Sequence, residues 1–410
     1  MRRFRDLAEA EAFLGPALDR PEPEWSREVA PGLTLAGRAV DIGDGMFCNR
    51  YTARWVAPAR AEICVVGEPL ESPFARAQSL AGRGVRGVVA TGGFFFLADD
   101  AELQPRARSL NMAFACGSTI SVPVVGQTAL VGRAGALEVR EVAAAGTLRL
   151  NGEVLRWAGS RSDEAGTADC VVYGNANACV EHRADVRTGK MRHFVPASRW
   201  TPALAAGSGW SDVGFRRVDD GFVGVVRSAL GGLDIFAFDL VLRCGDSRAR
   251  GAGDRAEILT VDGLAAGDPQ FSAISVGPSL LDARLAEHPL HREPSLGSSP
   301  LLGGQRAARL LYFRERDGAC NLQLWDGRPG SAVCPGLTLD EVAERVRGEY
   351  AVVEGCFLDS GRTGKLCVAD ETGVHSLGNR HYLRWPVAGD DAFVWTPDAG
   401  RPVASLLVIR

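Results

Sequence analysis

Between residues 31 and 68 apolar and polar positions alternate with the period of two that a half-buried strand requires. The segments are PGLTLAGRAVDI, CNRYTARWVA and AEICVVG, each bounded by Gly, Pro or Asp. In three places the period becomes helical. Leu7 to Leu18 offers Leu7, Phe13 and Leu14 as apolar anchors and is stopped by Pro21 and Pro23. Pro73 to Ala81 has Pro at its start and Gly just past its end. In GLTLDEVAERVRGE, Thr338 is placed to cap, Glu341 follows three positions later, and Leu339, Val342, Ala343 and Val346 share one face. Hairpin turns are predicted at Asn151-Gly152 and Asp317-Gly318, and RPVASLLVI reads as a closing strand.

Many short strands, few helices and no succession of strand-helix-strand units predict an α+β chain with mixed or antiparallel sheets. Residues 1–30 are expected to form an N-terminal helical extension. Residues 31–410 form the main domain, with a glycine-rich insertion around 201–255. A glycine count of 49 in 410 residues, with 21 prolines, supports the reading of short strands joined by many turns. The 46 basic and 50 acidic side chains leave a net charge of -4, so no basic excess exists to hold a nucleic-acid backbone. Almost all the basic residues are arginine, Lys190 and Lys365 being the two lysines. The ten cysteines include no CxxC pair and no His at zinc-ligand spacing, and several lie in apolar runs, which predicts packed free thiols. The first residues, MRRFRDLAEAEAFLG, lack the apolar core of a secretory signal, and no stretch reaches the roughly 18 apolar residues of a membrane helix. The expectation is a cytoplasmic protein without a membrane partner.

Two stretches stand out as halves of one site. Val88 to Phe96 (VVATGGFFF) and Tyr350 to Thr363 (YAVVEGCFLDSGRT) each run from a buried-strand pattern into glycines and small polar residues, where a backbone can turn tightly. Each also follows a predicted helix, a loose internal parallel that points to their pairing in space.

With these stretches in hand the chain resembles the phosphodiester glycosidase family, that of the lysosomal enzyme which removes N-acetylglucosamine from a phosphodiester. The likeness starts near PGLTL and runs to ATGGFFF, where the family carries Asn-Gly-Gly-Phe-Phe. It continues through ISVGPSLLDA, YFRERDGACNLQLWDGR and VVEGCFLDSG, the last resembling a strand that ends in Leu-Asp-Gly-Gly. Thr91 stands in place of the family Asn, Ser360 in place of a glycine, and Arg362-Thr363 fill the closing turn. Arg306 or Arg309 would take the place of the family's arginine before the hairpin.

The resemblance implies a hydrolase that cleaves a sugar anomeric C–O bond to phosphate or another anionic group. Asp359, at a strand end, is the first candidate for proton transfer, with Glu354 or Asp282 as second carboxylate. Asp359 also has a plain structural reading as a turn-holding acid and Glu354 as an arginine-paired one, while Asp282 is an acid or metal-ligand candidate. Thr91, Gly92, Gly93, Ser279, Ser360, Gly361, Arg362 and Thr363 would bind substrate, the Gly92-Gly93 amides and Arg362 taking the anionic part. A carboxylate pair could hold Mg²⁺ or Ca²⁺, although no spacing forms a metal motif, and neither nicotinamide nor flavin is expected. The partner is a small sugar derivative. Two other readings stay open: a tailoring enzyme of secondary metabolism, such as antibiotic biosynthesis, that performs glycosyl transfer or cyclisation, and a non-catalytic carbohydrate-binding module.

Overall fold

The computed structural model describes residues 1–66, 70–93, 95–97, 107–109, 111–174, 209–219, 221–282, 305–361, 363–384 and 392–410. The fold is α+β, with mostly antiparallel sheets, a few short helices and a closed β-barrel.

Two sheets face each other across one core. The first, of six strands, runs Trp25–Ala30, Leu33–Gly43, Met46–Trp55, Cys320–Asp326, Arg309–Glu315 and Val352–Phe357 in spatial order. The second, of five, runs Gly373–Leu377, Leu366–Asp370, Gly87–Thr91, Ser405–Ile409 and Ala61–Val65. Alternate residues of each turn inward: Leu35, Ala53, Leu322 and Cys356 from one side meet Val88, Ala90, Val368 and Leu407 from the other. The outer faces are closed by helices. Helix Leu339–Glu349 packs Val342, Ala343 and Val346 against Leu311, Phe313 and Phe357, and helix Pro73–Gly82 packs Ala77 and Leu80 against Val89, Cys367 and Leu406. The layers are therefore helix, sheet, sheet, helix, and Gly87–Thr91 reads as a continuous apolar run because it is buried on both faces.

Thr338 accepts the Glu341 N–H while the Glu341 carboxylate accepts the Thr338 N–H, at 3.2 and 2.8 Å, completing the capping box that the sequence predicts. Thr338→Ala should lower the urea midpoint by an amount equivalent to about 1 kcal/mol, the usual worth of an N-cap.

The barrel is built from seven strands that lie between residues 145 and 261. Its strands follow the order Ala145–Leu150, Glu153–Gly159, Cys170–Tyr173, Leu240–Gly245, Trp210–Val218, Gly221–Ser228 and Arg255–Val261, and the last pairs back onto the first. The three strands between 209 and 245, within the predicted glycine-rich insertion, are thus staves of this barrel. Trp157, Val172, Phe215, Phe222 and Leu242 fill its interior. A further five-stranded sheet, containing Gln127–Arg133 and Phe271–Ser275, is the wall shared with the sandwich: Leu130 and Ile274 enter the sandwich core while Ala129, Val131 and Ala273 enter the barrel core. The nine described cysteines are free, six of them buried. Among the described residues no helix is long and apolar enough to cross a membrane.

Candidate functional site

Three distant segments meet at one end of the sandwich. Strand Gly87–Thr91 delivers Gly92, whose carbonyl accepts the Asp359 N–H at 3.0 Å, so the two predicted half-sites are in direct contact. The Thr91 hydroxyl donates to the Thr363 carbonyl at 2.6 Å and ties the same two turns a second time. The third segment, 277–280, lies along the free edge of strand Val352–Phe357. Gly277 N–H donates to Phe357 O at 2.7 Å, Phe357 N–H to Pro278 O at 3.2 Å, and Leu280 N–H to Gly355 O at 2.9 Å. An edge that would otherwise expose unpaired backbone is thereby covered.

The glycines are required by contact. A Cβ at Gly92 would stand 2.6 Å from Ser405 Oγ, and one at Gly93 would stand 2.3 Å from the Ser275 carbonyl oxygen. Backbone cannot yield as a side-chain tip does, so Gly93→Ala should destabilise the protein by about 2–3 kcal/mol, read from its denaturant midpoint. The expectation that these amides are open to an anion is corrected here: Gly92 N–H donates to Ser405 O and Gly93 N–H to Ser405 Oγ, both at 2.9 Å. The Thr91 hydroxyl, fully buried and committed to Thr363, is also unavailable to a ligand.

Asp359 is half-buried at the end of its strand. Its Oδ1 accepts the Ser360 N–H at 2.9 Å, and the Thr363 hydroxyl lies against the carboxyl. Removal from water raises its pKa to about 6, an effect that Thr363, Arg401 and the Ser360 amide reduce but do not reverse. The Thr363 hydroxyl also donates to Ser360 O at 2.6 Å. Ser360 Oγ donates to Leu358 O and accepts the Leu310 N–H, at 2.8 and 3.1 Å, and Gly361 turns with φ of 62°. Ser360 and Thr363 thus build the turn that aims Asp359. Arg362 lies outside the described residues.

The other two carboxylates are placed elsewhere. Glu354 Oε1 accepts from Arg314 Nε at 3.0 Å across the sheet, and only 13% of its side chain is exposed. Glu354 lies within strand Val352–Phe357 and Asp359 two residues past its end, a chain separation of up to about 16 Å at roughly 3.3 Å per extended residue. Glu354 thus takes the arginine-paired arrangement that the sequence also allowed. Ser279 stands opposite Cys356, and the antiparallel run carries the chain from there toward Glu354, so Asp282 moves away from Asp359. Asp282 N–H donates to Ser279 O at 3.2 Å, and Ser279 Oγ accepts the Leu281 N–H at 3.1 Å, a local turn. Arg306 pairs with Glu341 at 2.6 Å. The buried Arg309 donates to the carbonyls of Leu337 and Gln305, and burial lowers its pKa to about 10. Among the described residues no three His, Cys, Asp or Glu side chains are grouped to hold a metal ion.

Two contributors escape a reading by motif. Ser405 opens the last strand and clamps both glycines, and Arg401, a few residues before it, contributes positive charge that lowers the Asp359 pKa. The loop that carries Arg401 is braced from beneath by Lys365. This fully buried lysine donates to Pro397 O at 2.7 Å and Gly378 O at 3.1 Å, and its stem lies against Gly400. Burial lowers the Lys365 pKa. Asn379 Nδ2 joins the same support by donating to Gly361 O at 3.2 Å.

No family model matches the chain, and no curated protein matches it. Solved structures share its fold, among them the following two. One is a hypothetical protein from Synechocystis, with TM-score 0.52 and 15% identity over 95% of this chain and 64% of that one. The other, from Burkholderia pseudomallei, is described as a "Putative exported protein", with TM-score 0.51 and 15% identity over 89% of this chain and 74% of that one. This chain thus spans somewhat less than two thirds of the Synechocystis protein. The cytoplasmic expectation is corrected by the second likeness, because a protein of this fold carries a description of export.

Proposed function

We propose that the chain is a glycosidase-like hydrolase of the phosphodiester glycosidase kind, cleaving the anomeric C–O bond between a sugar and a phosphate or similar anionic group. The observation that carries the reading is Asp359, a carboxyl whose pKa is raised to about 6 at the junction of the two turns. Such a group holds its proton under mildly acidic conditions and can deliver it to a leaving oxygen. Arg401 supplies positive charge beside it for the anionic part of the substrate, the role that the Gly92-Gly93 amides cannot fill. The mechanism relies on one described carboxylate as acid, since Glu354 is paired with Arg314.

The test is hydrolysis of a panel of sugar 1-phosphodiesters, with free sugar as the readout. Transfer or cyclisation would consume the substrate without releasing free sugar, which identifies the tailoring-enzyme reading. The internal use of the Thr91, Gly92 and Gly93 donors favours a second reading, a carbohydrate-binding module. Measurable affinity without turnover across the panel would establish it in place of the hydrolase.

A further inference from the structure

Cys170 and Cys244 stand directly opposite each other on neighbouring antiparallel strands of the barrel, and both are fully buried in its interior. The register sets Cys170 against Cys244, and both side chains belong to the same interior cluster. Directly opposed residues place their Cβ atoms about 4.5 to 5.5 Å apart, and a disulfide asks for about 3.5 to 4.5 Å with Cα atoms about 4.4 to 6.8 Å apart. A small approach of the two strands closes that gap.

The location gives the contact a purpose. Strand Cys170–Tyr173 is the shortest stave of the barrel, with four residues. On one side it is held by a parallel pairing of three residues, Cys170–Val172 against Trp157–Gly159, and on the other by four antiparallel pairs to the strand that carries Cys244. A closed barrel is no stronger than its weakest seam, and a covalent link at this position would join the short stave to its longer neighbour.

We propose that Cys170 and Cys244 form a cross-strand disulfide that staples the barrel when a disulfide oxidant is present. In the reaction two S–H bonds break and one S–S bond forms, while the oxidant, a small-molecule disulfide such as oxidised glutathione, is reduced to two thiols. The neighbouring Cys244 sulfur and burial raise the Cys170 pKa, so the thiolate forms poorly in the folded barrel. Exchange therefore proceeds during folding, before the interior closes.

The whole chain is refolded in parallel in a mixture of oxidised and reduced glutathione and in dithiothreitol. Each sample is denatured without reductant, alkylated and mapped by mass spectrometry. The oxidised sample should yield a peptide pair joined through Cys170 and Cys244, and the reduced sample should carry an alkyl group on each. The link closes a loop of roughly 75 residues and should raise the thermal midpoint by about 5 °C. In Cys170→Val/Cys244→Ala that dependence on redox conditions should vanish. Alkylation of both thiols after oxidative refolding, or a link from Cys170 to any other cysteine, overturns the proposal. Peptide mapping of the wild-type chain decides it even where the variant does not fold.

Discussion

Asp359→Asn should abolish turnover of a sugar 1-phosphodiester while making the protein more stable at neutral pH. Loss of a positioned general acid costs about 10²- to 10⁴-fold in rate. The stability change has the opposite sign because the carboxyl is held in the fold with its pKa raised from 3.8 to about 6. Between those two values the folded protein keeps a proton that the unfolded chain has released. Stability from this group is therefore fully present below pH 3.8 and is lost as pH rises through about 6. A shift of roughly two units corresponds to a ceiling of about 3 kcal/mol. Partial exposure of the residue brings the expected gain for the Asn variant nearer 2 kcal/mol above pH 7. The gain should fade toward pH 4, and urea unfolding of both proteins at several pH values measures it. In the wild type, kcat/KM should fall tenfold per pH unit above about 6, the profile of a group that works protonated. Unchanged turnover in the variant would remove Asp359 from the chemistry, and equal stability at all pH values would remove the raised pKa.

The largest loss of stability is expected from Asp212→Ala, far from that site. Arg243 Nε and Nη2 bind the two carboxylate oxygens of Asp212 at 2.7 and 2.9 Å, and neither side chain reaches solvent. Asp212 Oδ2 also accepts the Gly231 N–H at 2.7 Å, and Arg243 Nη1 donates to the Tyr173 hydroxyl at 3.0 Å. Removing one member of a buried pair leaves the other charge without compensation, at a cost of about 3–5 kcal/mol. Replacing both, as Asp212→Ala/Arg243→Met, should cost less than the single change. A denaturant double-mutant cycle checks this, and a single-variant loss below about 1 kcal/mol would contradict it.

Helix ends and tight turns were readable because their causes lie within a few residues. The helix at Leu339–Glu349 begins at the predicted cap, Leu7–Leu18 has the predicted bounds, and Asn151-Gly152 joins two paired strands. The buried, free state of most cysteines followed from the apolar runs that hold them. Glycine pairs and a strand-end aspartate also marked the place where the sandwich turns meet, and Gly92 bonded to Asp359 is that meeting. The hydrogen-bond partners at that place were not legible. Ser405 lies 312 positions from Gly93, and nothing in its local sequence distinguishes a clamp from an ordinary strand serine. Arg401 is one of many arginines, and Glu354 carries no local sign that it faces Arg314.

By itself the sequence determined where the chain alternates, where it turns and which segments are apolar on both faces, since period, capping and turn chemistry act over short range. Tertiary structure alone decided that seven strands close into a barrel, that the Gly92 and Gly93 amides are consumed by Ser405, and that one carboxylate is removed from water enough to raise its pKa to about 6. The reason is physical. Strand register, desolvation and the saturation of hydrogen-bond donors depend on which distant residues arrive at the same point, and that is fixed only when the sheets pack.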